Sequence, residues 1–186
     1  MKILALYGSS YGQAEAVLHR VSQLLENRGH EVEVFSGKAV PTGLRVEGFD
    51  AVVIAASVIL GRYQRYIRRF VREHLDTLGR MPTAFISVNG ASPESTPEWR
   101  AAAESYVAGL REATGWRPGW SATFSGALRY TSYDFMTRWV MKKLSEKAGG
   151  PTDTSRDYEF TDWEAVDRFG ALLAEQIERE APQLVG

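Results

Sequence analysis

Short apolar runs alternate with stretches of helical period along this chain, and that alternation leaves few architectures open. Lys2 to Tyr7, Glu31 to Phe35, Ala51 to Ala56, Thr83 to Val88 and Ser121 to Ser125 are rich in Val, Ile, Phe or Leu, and the first, third and fourth are nearly continuous in apolar character. Runs of that kind read as parallel strands buried on both faces. Between them, Gln13 to Asn27 places Ala16, Val17, Leu18, Val21, Leu24 and Leu25 at helical spacing, and Tyr63 to Leu78, Pro97 to Ala113 and Trp163 to Glu180 read as helices by the same period. Gly29 stands just past the first helix where a C-terminal glycine belongs, and Thr96 before Pro97 reads as an N-cap followed by the first helical position. Strands joined by crossover helices predict an α/β fold, a doubly wound five-stranded parallel sheet most simply ordered 2-1-3-4-5.

Two segments depart from the pattern. Phe35 to Phe49 contains Gly37, Pro41, Gly43 and Gly48 and reads as an irregular crossover. Gly126 to Thr161 is an inserted segment after the fifth strand, with its own amphipathic stretch from Tyr133 to Lys147 and a turn at Gly149, Gly150 and Pro151. It far exceeds the about two to six residues usual for such connections, and long insertions are commonly functional. With 186 residues, 44% of them hydrophobic, the expectation is a single domain with a sizeable core.

Composition removes several chemistries. There is no cysteine, hence no disulfide, thiolate metal site or cysteine nucleophile, and His19, His30 and His74 show no ligand spacing, so no metal centre is expected. A net charge of −1 argues against nucleic acid as a partner. The longest apolar stretch, Ala51 to Leu60, is about half the roughly 20 residues a membrane helix needs, and the N-terminal apolar run is too short for a signal peptide. The expected location is therefore cytoplasmic.

In an open parallel sheet, ligands bind beyond the carboxyl ends of the strands. Three loops leave from there. GSSYGQA, Gly8 to Ala14, joins the first strand directly to the first helix; its hydroxyls, its glycine and the helix start suit a phosphate, although an ordinary serine-capped turn explains the same string. It matches neither the Walker loop nor the dinucleotide G-x-G-x-x-G. ASVILGRY, Ala56 to Tyr63, exposes Val58, Ile59 and Leu60 to a flat ligand unless these residues merely extend the strand. The third loop runs from Val88 through Asn89, Gly90, Ala91, Ser92, Pro93, Glu94 and Ser95 to Thr96; Asn89 and Gly90 offer polar groups to a ring edge, or simply make a turn. A phosphate cradle, an apolar wall and a polar ring-edge reader at one place suggest a flavin mononucleotide.

These three strings, with SVNG after the fourth strand, resemble the binding loops of flavodoxin-like proteins. MPTAFISVN from Met81, WRP at Trp116, GALRY at Gly126, GGPTDTS at Gly149 and FTDW at Phe160 narrow the similarity to the menaquinone-dependent protoporphyrinogen IX dehydrogenases of bacterial haem synthesis, over essentially the whole chain. The resemblance implies that Ser9, Ser10, Gly12, Gln13 and Ala14 hold the FMN phosphate. Ser57, Val58, Ile59, Leu60 and Gly61 would flank the ring, with Ser87, Val88, Asn89 and Gly90 on the other loop. Tyr11 and Ala14 stand where flavodoxins usually have hydroxyl residues, so two side-chain phosphate contacts would be missing or replaced by the Tyr11 hydroxyl. The resemblance further implies oxidation of protoporphyrinogen IX to protoporphyrin IX, with electrons passed to menaquinone or ubiquinone. Catalytic acids and bases are not identifiable; Arg129 and Tyr130, at the start of the insertion, are candidates for substrate or flavin contact or for plain structural roles. Competing readings are a flavodoxin-type electron carrier, a flavin-dependent quinone or nitro-compound reductase using NAD(P)H, and a scaffold without flavin.

Charge is unevenly spread. Arg62, Arg65, Arg68, Arg69 and Arg72 cluster without an intervening acid beside the second loop, a solvated helix face or an attractor of tetrapyrrole propionates or anionic lipid. Phe135, Met136, Trp139, Val140 and Leu144 form an apolar stripe, and Arg129 to Lys147 holds five basic and two acidic residues, a local +3. That pattern fits peripheral association with an anionic membrane surface through Trp139, Lys142 and Lys143, or a stripe packed on the sheet edge as core. From Asp153 onward, nine acids and three arginines give −6, read as a solvated helix face.

Overall fold

The computed structural model describes residues 1–90 and 97–180, by backbone alone at 99 and 100. Its centre is a five-stranded parallel sheet of β1 (Lys2–Gly8), β2 (Glu31–Ser36), β3 (Ala51–Ser57), β4 (Thr83–Asn89) and β5 (Trp120–Ser125), in the order β2-β1-β3-β4-β5. Successive side chains of a strand alternate between faces. Ile3 and Ala5 of β1 and Val53 of β3 therefore enter one core with Val17, Leu18 and Val21 of α1 (Gln13–Asn27), and Leu4, Leu6 and Ile54 enter the other. The second core is closed by Ile67, Phe70 and Val71 of α2 (Arg65–Glu73), by Leu78 of α3 (Leu75–Leu78), and by Val107 and Leu110 of α4 (Pro97–Thr114). Both faces are covered over the central strands, which is why β1, β3 and β4 carry almost no polar alternation, whereas the edge strands β2 and β5 do, with Glu31, Glu33, Ser121 and Thr123.

The expected helix from Tyr63 to Leu78 is two helices. Its first two residues are taken out by Tyr63, which turns inward, and by the extended Gln64 (φ −58°, ψ 139°). The helix then breaks at His74 (φ −116°, ψ 18°), whose ring lies 4.6 Å from that of Phe70. The helical period would put this polar ring on the core stripe, four residues after Phe70; the break lets Thr77 and Leu78 bury instead. The crossover from Phe35 to Phe49 is irregular as expected, with one 3₁₀ turn at Val46–Gly48. Thr96, expected as the N-cap of α4, lies outside the described residues.

The inserted segment holds a pair of two-residue antiparallel strands, β6 (Ala127–Leu128) and β7 (Tyr158–Glu159), around α5 (Phe135–Lys147). Asp134 caps α5, its carboxylate accepting from the Thr137 N–H at 3.0 Å and the Thr137 hydroxyl at 2.6 Å. The stripe on α5 is not core. Phe135, Met136 and Trp139 are 84%, 71% and 58% exposed, because the helix meets the rest of the protein through its other side. There the Ser145 hydroxyl donates to the Pro151 carbonyl at 2.8 Å, and a Cβ on Gly150 would stand only 2.7 Å from Ser145 Oγ.

The acidic α6 (Trp163–Glu180) likewise does more than face water. Val166, Leu173, Ala174 and Ile177 enter the core, and the polar edge of the helix meets the basic edge of α1. Arg20 donates both its Nε and Nη2 to Asp167 at 2.6 and 2.7 Å, Arg28 reaches Glu175 at 3.3 Å, and His30 lies 3.2 Å from Glu178. The Arg20 guanidinium accordingly holds the Asp167 carboxyl below its usual range.

Candidate functional site

β1, β3 and β4 end at one level: Gly8 pairs with Ala56, and Ser57 with Val88. Their loops consequently leave side by side. In the first, the Ser9 hydroxyl accepts the Gly12 N–H at 2.9 Å and draws the loop into a turn. Gly12 takes φ +86°, a conformation that costs glycine little, and it stands as N-cap of α1 without a side-chain capping bond. The first-turn N–H groups of α1 therefore have no side-chain cap from Gly12, and the positive end of the helix dipole faces the loop. Ser10 is exposed at this mouth.

Other members of the loop turn elsewhere. Ala14 is fully buried in the core under α1. The half-buried Tyr11 packs edge-to-face on Tyr133 of the inserted segment, with ring centroids 4.5 Å apart. Gln13 is 5% exposed, its side-chain oxygen accepting from Arg129 at 2.8 Å while its amide donates to Thr161 at 2.8 Å and to Glu159 at 3.3 Å. What Gln13 has left for the loop is backbone. Arg129 is thereby engaged, also reaching Glu159 at 3.2 Å. Tyr130 is fully buried, with its hydroxyl donating to the Pro151 carbonyl at 2.9 Å. Both residues tie the inserted segment together, and Tyr130 presents no surface to a substrate.

The second loop is a tight reversal. Ile59 and Arg62 exchange two backbone hydrogen bonds at 3.0 and 3.1 Å around Leu60 (φ +49°) and Gly61 (φ +78°), as a two-residue turn with both central residues left-handed. Leu60 is the only non-glycine residue at positive φ among the described residues, and its side chain is 57% exposed. Strain of this sort is sustained where the surrounding structure dictates it. Val58 and Ile59 are half-buried below that apolar tip. Beneath it, Ser57 accepts from the Gln64 side-chain amide at 2.9 Å, and the same amide reaches Ser10 at 3.3 Å.

Gln64 thus joins the first two loops, a role that no spacing in the sequence announces. Its own oxygen is buried with no partner among the described residues, about where a Cβ on Gly8 would fall, at 2.7 Å. Ser87, expected on the third loop, lies within β4 and is fully buried, accepting from the Tyr63 hydroxyl at 2.8 Å and from the Asn89 side-chain amide at 3.1 Å. Val88 belongs to the core, while the Asn89 carbonyl accepts the Gly126 N–H at 2.7 Å. Of this set Gly90 is exposed, and residues 91–96 lie outside the described residues.

Burial pushes the Tyr63 phenol up to about 12, with the Ser87 hydrogen bond pulling the other way. The folded protein therefore holds this proton more tightly than the unfolded chain, whose phenol titrates near 10.0. The associated stability, about 2 to 3 kcal/mol, is fully present below the unfolded value and is lost as pH rises through the folded one. Thermal melts at pH 10 and pH 12 should show Tyr63→Phe losing less stability across that window than the wild type; equal losses would sink the assignment.

A family model for a flavodoxin domain matches residues 4–155. The chain belongs to the flavodoxin-domain family. Two curated relatives refine this. The protoporphyrinogen IX dehydrogenase [quinone] of Escherichia coli (strain K12) is 33% identical over 177 residues, covering 94% of this chain and 95% of the relative. A protein of the same name from Leishmania major is 27% identical over 177 residues, 93% of this chain and 74% of the relative. Within the flavodoxin-domain proteins, then, the chain is a member of the quinone-dependent protoporphyrinogen IX dehydrogenase family of oxidoreductases. Solved structures agree on the fold alone. A flavodoxin from Streptococcus pneumonia TIGR4 superposes with TM-score 0.56 at 13% identity, covering 97% of this chain and 99% of that one; an archaeal flavodoxin gives 0.54 at 17% identity, with 96% and 99% covered.

Proposed function

We propose that this chain binds FMN at the three loops, oxidises protoporphyrinogen IX to protoporphyrin IX, and passes the electrons to a respiratory quinone, menaquinone or ubiquinone. The supporting observation is the juxtaposition of a helix start lacking a side-chain cap with an exposed apolar turn. Ser9, Ser10 and Gly12, with the first-turn N–H groups of α1, would hold the phosphate, and Leu60, above Val58 and Ile59, would lie against the ring. Asn89 and Gly90 border the same mouth, and the orphaned Gln64 oxygen offers an acceptor between the loops. Bound there, the flavin supplies two-electron redox chemistry: hydride and proton leave the porphyrinogen, and each such step reduces one quinone to its quinol. The chain's own residues bind, orient and shield. The arginines beside the mouth favour an enzyme for an anionic substrate over a carrier of the usual acidic kind.

Quinones reside in lipid. The exposed Phe135, Met136 and Trp139 of α5, beside Lys142 and Lys143, would place the protein at the inner face of the plasma membrane. Among the described residues no helix is long and apolar enough to cross a membrane. The test of the reaction is anaerobic. Protein loaded with FMN is expected to raise porphyrin fluorescence when given protoporphyrinogen and a menaquinone analogue together, and not with the porphyrinogen alone. Reduction of the bound flavin by NAD(P)H, with no quinone-dependent porphyrin formed, would instead establish the reductase reading.

A further inference from the structure

Of the arginines around α2, two are used structurally. Arg69 pairs with Glu73 at 2.8 Å, and Arg72 donates to the Ala113 carbonyl at 2.8 and 3.0 Å, closing the end of α4. Arg62 and Arg68 are different. They line a groove of about 360 Å³ between the second loop with α2 and the facing side of α4, and neither has an ion-pair or side-chain hydrogen-bond partner among the described residues.

The groove exists because α4 presents Ser105, Gly109 and Ala113 to α2, one helical turn apart each, leaving room where larger side chains would fill it. A Cβ on Gly109 would meet nothing within 4 Å. Tyr106 forms an aromatic wall next to Gly61, and among the described residues no acidic side chain lines the cavity. Arg68 is half-buried there, and its guanidinium has no counterion among the described residues. Such a site is electrostatically incomplete, and what completes it is an anion with a planar pair of oxygens, the geometry a guanidinium fork receives.

We propose that this groove is a carboxylate-binding subsite that receives a propionate of the porphyrinogen, with Arg62 and Arg68 as its anion contacts; this rests on the reaction proposed above. At about 360 Å³ the groove has room for a carboxylate arm and lies at the low end of the about 300 to 1,000 Å³ of pockets that enclose a whole ligand, well short of the upper part of that range where a tetrapyrrole belongs. The macrocycle would stay outside the groove, at the mouth of the loops, while the arm reaches past Gly61 toward Tyr106. Leu60 stands in the two-residue turn that Arg62 closes, so the left-handed backbone there sets the spacing between the flavin contact and the carboxylate contact.

The test uses FMN-loaded protein, anaerobic turnover with a menaquinone analogue, and two substrates: protoporphyrinogen IX and its dimethyl ester. In the Arg62→Gln, Arg68→Gln double variant the KM for the diacid should rise at least tenfold with kcat within twofold, while the KM for the ester stays at the wild-type value. Arg62→Gln alone, at an exposed turn that carries no fold contact through its guanidinium, should give a smaller rise of the same kind and covers the case in which the double variant folds poorly. An unmoved KM for the diacid, or an equal rise for the ester, overturns the subsite while wild-type turnover leaves the reaction standing. Wild-type protein that retains FMN but forms no porphyrin overturns both.

Discussion

Replacing Trp116 with alanine is expected to destabilise the protein by about 3 to 5 kcal/mol, the usual result of emptying a large aromatic site in a core. For a chain of this length that corresponds to a fall in Tm of roughly 6 to 20 °C. The ring is 1% exposed and stands edge-on to Phe85 at 5.8 Å. It is put there by local chemistry. Gly115 takes φ +78° just past α4, its N–H donating to the Arg111 carbonyl at 2.8 Å, and the Trp116 N–H then donates to the Thr114 hydroxyl at 3.2 Å. The chain doubles back under the sheet.

Because Trp116 precedes β5, it plugs the amino-terminal end, away from the loops at the carboxyl ends. The folded fraction of Trp116→Ala should therefore retain as much FMN per chain as the wild type. Trp116→Phe is expected to lose less than half as much stability, since it keeps the ring contact and removes an indole N–H that is buried with no acceptor among the described residues. Calorimetry or denaturant melts with flavin absorbance measure both quantities. A Trp116→Ala protein as stable as the wild type, or one whose folded fraction is flavin-free, would refute this division of the molecule.

The strands were legible because both faces of the sheet are covered: Ala51 to Ala56 has no polar residue to misplace. α1 was legible to the residue, its apolar period running uninterrupted into Gly29. Where the reading missed, the deciding contacts were remote in sequence. β6 and β7 are two residues each, too short to carry a period, and they pair across a gap of some thirty residues. The break at His74 comes from the competition between one polar ring and the core, which a periodicity count averages away. For the site, the three loops could be placed from topology alone, because the strand order sets where they meet. Side-chain directions could not. Gln13 sits in the phosphate-loop string yet turns its amide to Thr161, nearly 150 positions away. Gln64 lies outside all three strings and holds two of them together. Tyr130, at the start of the insertion, fits a substrate contact or a structural role equally well in the string, and it is one of the insertion's largest buried side chains.

Changing Trp139, Lys142 and Lys143 of α5 together to glutamate is expected to abolish flotation of the protein with vesicles of anionic lipid. The change takes the local charge of Arg129 to Lys147 from +3 to −2. Near an anionic surface each lost lysine removes about 1 kcal/mol, and the lost burial of the indole removes about 2 more. The sum, about 4 kcal/mol, is close to a thousandfold in partition. The same residues are nearly idle in the fold. Trp139 is 58% exposed, and the Lys143 pair with Glu146 at 2.8 Å is a surface ion pair between neighbours on one helix. The Tm of the variant should thus stay within a few degrees of the wild type, which separates loss of docking from loss of structure. Wild-type protein should float weakly on neutral vesicles, because the charge contributes about as much as the apolar face. Turnover with a quinone confined to anionic vesicles should fall in step with flotation, since a lipid-dissolved acceptor can be met only at the surface. A variant that floats as the wild type does would mean that the exposed face of α5 meets something other than lipid, and that the quinone reaches the loops from another side.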